Sequence, residues 1–284
     1  MICFDRVGFR YGRAEILRNL SFTLKKGEFA ALVGANGAGK STLCRLCNGL
    51  LKPSAGSVTV GGRDTRRVKT SELARTVGFL FQNPDRQICQ NTVREEIRFG
   101  LRCILGDRPE TAAEIDGRCE ETLAAFGLDG AHDPFSMSRG ERQQVAIASL
   151  VACRPEVLIL DEPTTGLDYR ECTRVMELMR ALNRAGTTIL MISHDMEVVS
   201  DFARRVLVLS GGELAGDGPV REILSDEALL RGACVLPPQI PALAARLGED
   251  FDGVFTVGEM CDTVCSLACA APGRVAAGAE GGRL

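Results

Sequence analysis

The 284-residue chain predicts an α/β fold organised on a largely parallel sheet buried on both faces. Three observations carry that expectation. Phe29-Ala30-Ala31-Leu32-Val33 is a continuous apolar run ending at a glycine, as a central strand requires. Further apolar runs at residues 157–160, 188–192 and 206–209 recur with helix-length segments between the first two pairs. Directly after the first run, Gly34-Ala35-Asn36-Gly37-Ala38-Gly39-Lys40-Ser41 fits G-x-x-x-x-G-K-[ST], a glycine-rich turn into a helix.

In chain order, strands are expected at residues 2–9 and 21–24, then a Lys26-Gly27 turn, the central run, and strands at 57–60 and 76–81. Arg63 to Lys69 is most simply a solvated basic turn. From residue 92 to 126 the period becomes helical, with Thr92 and Glu95 at capping-box spacing and Ile115, Cys119, Leu123 and Phe126 along one face. This marks a helical insert extending to about residue 152. The core domain is expected to cover residues 1–224. Leu236-Pro237-Pro238 then punctuates the chain, and Ile240, Leu243, Ala244 and Leu247 recur at helical spacing in a small appendage, residues 225–284. The last dozen residues, rich in Ala and Gly and without periodicity, are expected to be disordered.

Lys and Arg number 34 against 37 Asp and Glu, a net charge of −3, which gives no footprint for a nucleic-acid partner. No run of about 18 apolar residues occurs, and the N-terminus lacks a basic-then-apolar signal pattern, so a cytoplasmic protein is expected. In that compartment the 12 cysteines are expected as reduced thiols. Cys44 and Cys47 fall on the helix after Lys40, where both can face the core. Cys261, Cys265 and Cys269 follow a Thr256/Glu259 capping box, and Cys261 and Cys265 share an apolar stripe with Val257, Met260, Val264 and Ala268, which favours buried or interface thiols over a metal site.

The glycines of residues 34–39 let backbone N–H groups curl around phosphate oxygens, with Lys40 reaching the β- and γ-phosphates and Ser41 placed to hold Mg²⁺. Asp161-Glu162, at the end of the 157–160 strand, supplies two carboxylates where ligands of parallel sheets bind. Asp161 is the expected Mg²⁺ ligand and Glu162 the group that deprotonates an attacking water. Alone, such a pair would read as a helix start; joined to the glycine loop it implies nucleoside triphosphate hydrolysis. Ser138-Arg139-Gly140-Glu141-Arg142-Gln143 carries a second capping box, and a capped helix with an exposed positive end is a second phosphate-binding terminus. One γ-phosphate cannot easily meet two helix N-termini from one subunit, so this element is expected to complete a site across a dimer.

With these residues in order, the sequence resembles the ABC ATPases over roughly residues 1–224. Residues 34–42 look like Walker A, Gln82 the Q-loop, 138–143 the signature, Asp161-Glu162 Walker B, Thr165-Gly166-Leu167-Asp168 the D-loop and His194 the switch histidine. The resemblance implies a P-loop NTPase: a RecA-like core with a mixed sheet, an N-terminal antiparallel β region and a helical subdomain. It implies ATP and Mg²⁺ as ligands, with Asn36, Gly37, Gly39, Lys40, Ser41 and Thr42 on the phosphates and Tyr11 stacked on adenine. Ser41, Gln82 and Asp161 would serve the metal, and Glu162, Gln82 and His194 the reaction. Ser138 and Gly140 would contact the nucleotide of the partner subunit. His132, in a loop, is read as structural.

Three positions depart from the usual pattern: Met137 for Leu, Gln144 for Arg, and Arg139 for a glycine, which either restricts the backbone or adds charge beside the γ-phosphate. A tolerated variant is the preferred reading of Arg139, since Ser138 and Gly140 are retained. Phe81-Gln82-Asn83-Pro84-Asp85-Arg86-Gln87-Ile88 and the segment after Leu236 are similar to energy-coupling-factor ATPases, the cassettes of vitamin and transition-metal importers. That likeness implies a transmembrane coupling subunit and a substrate-binding membrane subunit as partners, and a peripheral place on the cytoplasmic membrane face. It also implies a homodimer, or a heterodimer with a second ABC ATPase. Residues 83–88 are expected to dock the membrane subunit, with Asp85 and Gln87 transmitting the coupling. A conventional ABC cassette and a soluble ABC ATPase remain alternatives; a GTP switch lacks its Asn-Lys-x-Asp segment.

Overall fold

The computed structural model describes residues 1–270; the expected disorder of the last dozen residues lies outside them. In chain order the strands are β1 (Ile2–Tyr11), β2 (Ala14–Leu24), β3 (Phe29–Val33), β4 (Ala55–Val60), β5 (Arg63–Asp64), β6 (Val77–Leu80), β7 (Val157–Asp161), β8 (Thr188–Ile192), β9 (Arg205–Ser210) and β10 (Glu213–Pro219). They form two sheets. An antiparallel sheet has the order β2-β1-β4-β5, and a mixed sheet has the order β10-β9-β3-β8-β7-β6, parallel except for β10.

Every residue of β3, β7 and β8 is buried, because the sheet is covered on both sides. Ala30 and Leu32 of β3 point to the N-terminal sheet and to α1 (Lys40–Cys47); Phe29, Ala31 and Val33 point to the helices of the other face. Cys44 and Cys47 sit fully buried on α1, and burial pushes both thiols well up. β2 starts seven residues before the expected residue 21. Left-handed backbone at Arg6 and Asn19 and shifts in the β1–β2 register break the alternation there, which hides the strand from a period-2 pattern. The basic turn expected at residues 63–69 contains short β5 and leads into α2 (Thr70–Leu73).

The helical stretch from residue 92 is two helices, α3 (Val93–Leu105) and α4 (Pro109–Phe126). Gly106, at φ 90°, ends the first and Pro109 opens the second. Ile115, Cys119, Leu123 and Phe126 are buried against α3 and α5 (Arg139–Ala152), and Arg94–Glu120 and Arg98–Asp116 ion pairs staple α3 to α4. The chain continues through α6 (Tyr169–Arg184), α7 (Met196–Phe202), α8 (Val220–Ser225), α9 (Glu227–Gly232), α10 (Gln239–Leu247) and α11 (Val257–Ala270). Among the described residues, no helix is long and apolar enough to cross a membrane.

Thr256 and Glu259 form the expected reciprocal capping pair at the start of α11. Glu259 also pairs with Arg221 of α8, whose guanidinium stands 5.1 Å over the Phe255 ring. The stripe on α11 is only partly covered: Met260 packs with Ala244 and Val254, whereas Val257, Val264, Cys261 and Cys265 are exposed, as is Cys269 beside them. Buried thiols are therefore not found here in the single chain. The stripe is wider than the narrow contact that α10 and the preceding turn offer.

Two outcomes follow from this packing. A Cβ at Gly34, where φ is 147°, would overlap the Leu209 carbonyl of β9, so Gly34→Ala should cost about 2 kcal/mol or more. Urea unfolding measures it, and a loss under about 0.5 kcal/mol would mean that the loop shifts freely. The Arg221 hydrogen bond, helped by the Phe255 and Thr256 N–H groups, holds the Glu259 carboxyl at about 2, below its ordinary 4.5. A depressed carboxyl stabilises the fold above its unfolded value and loses that contribution as pH falls through the folded one. Acid titration of helix content should therefore show a loss between pH 4.5 and 2 that Glu259→Gln removes; identical curves for both proteins would rule this out.

Candidate functional site

Parallel pairing in register determines what meets at the carboxyl edge of the mixed sheet. Leu32 of β3 and Asp161 of β7 both pair with Ile192 of β8, and Leu80 of β6 pairs with Leu160. The segments that leave these strands are residues 34–39, Ser193-His194, Asp161-Glu162 and Phe81-Gln82. They line one cleft of about 690 Å³, with Tyr11, Ile16, Asn36, Gly37, Gly39, Lys40, Ser41, Thr42, Gln82, Asp161, Glu162 and His194 on its wall. Every expected site residue is there except Ser138 and Gly140. Ile16 was not expected. It belongs to the irregular part of β2, and β2 is held against the loop because a Cβ on Gly39 would stand 2.6 Å from Leu17 Cδ2.

The loop enters α1 through Gly39, which is left-handed at φ 104°, and neither a side-chain cap nor an acidic residue occupies the first turn. Its N–H groups are thus available to an anion, and Thr42 and Ser41 stand in that same turn. Lys40 is buried, and its Nζ donates to the Gly34 and Ala35 carbonyls at 2.6 and 2.9 Å. Burial lowers its pKa, while Glu162 and Asp161 oppose that shift.

Asp161, 5% exposed, has its carboxyl pushed up chiefly by burial and also by Glu162, against a hydrogen bond from Ser41 and the charges of Arg45 and Lys40. The Ser41 hydroxyl and Asp161 carboxylate, with the exposed Gln82 amide at the rim, are hard oxygen donors. Such a set suits Mg²⁺ that keeps waters and substrate phosphate oxygens in its shell. Tyr11 is exposed at the outer end of the cleft and set edge-on to Phe9 at 4.8 Å.

Glu162 is the strained residue of the site. Its φ is 55° and Pro163 follows it, two conditions that disfavour each other sterically. Its N–H donates to Ile192 O at 3.0 Å and its Oε2 accepts from Thr165 Oγ1 at 3.2 Å. His194 Nε2 lies 2.5 Å from its Oε1. The Gln143 side chain, fully buried on α5, faces the Glu162 and Pro163 carbonyls at 3.5 and 3.4 Å, a contact the sequence pattern did not single out.

Ser138 caps α5 in a reciprocal pair with Glu141, at 3.2 and 2.8 Å, and its end of the helix is exposed. Gly140 is obligatory for packing, since a Cβ there would stand 2.8 Å from Gly166 O in the D-loop segment. Asp85 is exposed and Gln87 half-buried. Asp85 pairs with Arg142 at 2.8 Å, and Gln87 Nε2 donates to Ala146 O at 3.1 Å, so both tie the Gln82 loop to α5.

Residues 17–165 match the family model described as ABC transporter. An ABC transporter ATP-binding protein of Caldanaerobacter subterraneus subsp. tengcongensis is 46% identical over 84% of this chain, and the alignment covers 41% of that protein. The energy-coupling factor transporter ATP-binding protein EcfA of Methanothermobacter thermautotrophicus is 40% identical over 86% of this chain and 79% of its own length. Among solved structures, cbiO1 of Clostridium perfringens, part of the ABC transporter complex cbiONQ, superposes with a TM-score of 0.72 at 30% identity, covering 86% of this chain and 98% of that one. The chain spans about two fifths of the length of the first curated relatives it matches. By these likenesses the chain belongs to the ATP-binding proteins of the ABC transporter family.

Proposed function

We propose that the chain hydrolyses ATP as the cassette of an energy-coupling-factor importer of a vitamin or a transition-metal ion, peripheral on the cytoplasmic membrane face. The observation that carries this reading is the single cleft in which the phosphate-binding loop, Asp161, Glu162, Gln82 and His194 converge. Names of relatives favour the energy-coupling-factor class. Residues 1–224 would be the cassette, with a helical subdomain at about 92–152, and residues 225–284 its appendage.

In this reading the loop N–H groups and the α1 terminus take the triphosphate, with Asn36, Gly37, Gly39 and Thr42 shaping the cradle. Lys40 exchanges its carbonyl contacts for the β- and γ-phosphates, and Tyr11 stacks on the base. Ser41, Asp161 and Gln82 would hold Mg²⁺, which neutralises charge on the β- and γ-phosphate oxygens when bound. Glu162 accepts the proton of the attacking water on a carboxylate oxygen, and His194 orients that carboxylate and contacts the γ-phosphate. Ser138 and Gly140 lie outside their own cleft, so they serve the nucleotide of a second cassette, either a copy of this chain or a related one. Two cassettes closing on ATP and parting on ADP would drive the membrane subunits through their different affinities for the two nucleotides.

The transmembrane coupling subunit would dock in an apolar groove of about 350 Å³ beside the Gln82 loop. Leu50, Phe81, Phe99 and Ile104 line it, and Leu50 and Phe99 are half-exposed. A short apolar helix from the cytoplasmic side of that subunit fits its chemistry. A substrate-binding membrane subunit completes the assembly.

Glu162→Gln should retain ATP binding and slow steady-state phosphate release by about 10²-fold or more, because an amide orients water without accepting its proton. Turnover within about threefold of wild type would remove Glu162 from that role. Phe99→Asp should leave the ATPase rate of the isolated protein unchanged and abolish transport by the reconstituted complex, because a carboxylate cannot enter an apolar contact unpaired. Transport at the wild-type rate would exclude the groove as the coupling surface.

A further inference from the structure

We infer that Arg139 supplies a positive charge in trans, binding the γ-phosphate held in the cleft of a second copy of this chain; the inference rests on the composite site proposed above. Three observations converge on it. Arg139 is the first residue of α5 and has helical backbone, so the position does not require glycine. The glycine that packing does require is Gly140, one residue on. Arg139 therefore occupies its place without strain, and its side chain is free to act.

The direction of that side chain is the second observation. Its stem crosses the open face of Gly166, whose absent Cβ would stand 3.4 Å from Arg139 Cδ and 3.5 Å from Cγ. Arg139 thus lies on the exposed surface shared by the α5 terminus and the D-loop segment, and it is not among the residues that line its own cleft. Nearby carboxylates are already engaged. Glu141 accepts from Ser138 N at 2.8 Å, and Glu171 accepts from Asp168 N at 2.9 Å and Gln144 Nε2 at 3.1 Å. Among the described residues Arg139 is left without an ion-pair partner, whereas Arg142, one turn away, has Asp85.

Third, the cleft is short of cations. Among the described residues Lys40 is the one lysine or arginine on its wall, opposed by Asp161 and Glu162. In the composite site proposed above, two-fold symmetry would set each α5 terminus against the other copy's cleft. A guanidinium there forms charge-assisted, bidentate bonds to a terminal phosphate, which a glycine at this position cannot offer.

The test is ATP-driven self-association of the full chain in the Glu162→Gln background, followed by light scattering as ATP is titrated with Mg²⁺. Arg139→Gly should raise the ATP concentration for half-assembly about tenfold, the worth of one charge-assisted hydrogen bond. Arg139→Lys should recover part of that loss. ATP affinity of the dissociated monomer, read with a fluorescent ATP analogue at high dilution, should be the same for all three proteins. Half-assembly unchanged within about twofold, or an equal loss of affinity in the monomer, overturns the assignment. Ser138→Glu separates the two levels of the argument, because a carboxylate at the same helix end should block assembly if the composite site exists. Assembly blocked by Ser138→Glu but untouched by Arg139→Gly refutes Arg139 alone. Assembly indifferent to both, or absent in the Glu162→Gln parent, refutes the composite site and the inference with it.

Discussion

In-register parallel pairing of β3, β8, β7 and β6 is the constraint on which the rest of the molecule depends. Because all four strands run the same way, their carboxyl ends open on one edge, and residues far apart in sequence become neighbours there without any contact of their own to bring them together. A slip of one residue between β7 and β8 would turn Asp161 to the opposite face and part Glu162 from His194. Burial of both faces of the sheet is what prevents that slip: Ala30 and Leu32 are committed to one hydrophobic layer and Ala31 and Val33 to the other.

The same rigidity holds groups that would not stay in place unaided. Lys40 and Asp161 are buried ionisable groups whose solvation is lost, and each is compensated by polar neighbours supplied by the loop and by Ser41. Glu162 occupies a left-handed conformation ahead of a proline, a strain of order 1–3 kcal/mol that persists only because Ile192 O, Thr165 and Gln143 fix the turn around it. Gln143 gives this arrangement a reach beyond the cleft, since it sits on α5, whose exposed end carries Ser138 and Arg139. One helix thus touches the backbone of its own candidate base and presents its terminus outward. Arg142 and Gln87 join the same helix to the Gln82 loop, so a shift of that loop must be felt by α5.

The appendage is attached by polar ties as well as by apolar packing. Arg221 to Glu259 and the Gln239 N–H to Glu197, at 2.7 Å, bind it to α8 and α7, while its own apolar cluster is small. The exposed thiols of α11 take no part in the cleft.

Much of the site was legible because its chemistry demands local patterns: a glycine turn needs residues 34–39 together, a capped helix needs Ser138 and Glu141 three apart, and a buried strand needs an unbroken apolar run. Sequence by itself thus determined the parallel core, the cradle, the two carboxylates and the capped signature helix. Tertiary structure alone decided matters that depend on what lies across a gap. It placed Ile16 on the cleft wall, because a bulged strand carries no period to read. It tied Asp85 and Gln87 to α5, because their partners there lie over fifty residues away in sequence. It left the α11 stripe partly bare, because periodicity states which face is apolar but not whether anything is there to cover it. And it showed that the glycine at 140, not a glycine at 139, is the one the fold requires, since close approach of the Gly166 carbonyl is a distance in space with no counterpart in local sequence.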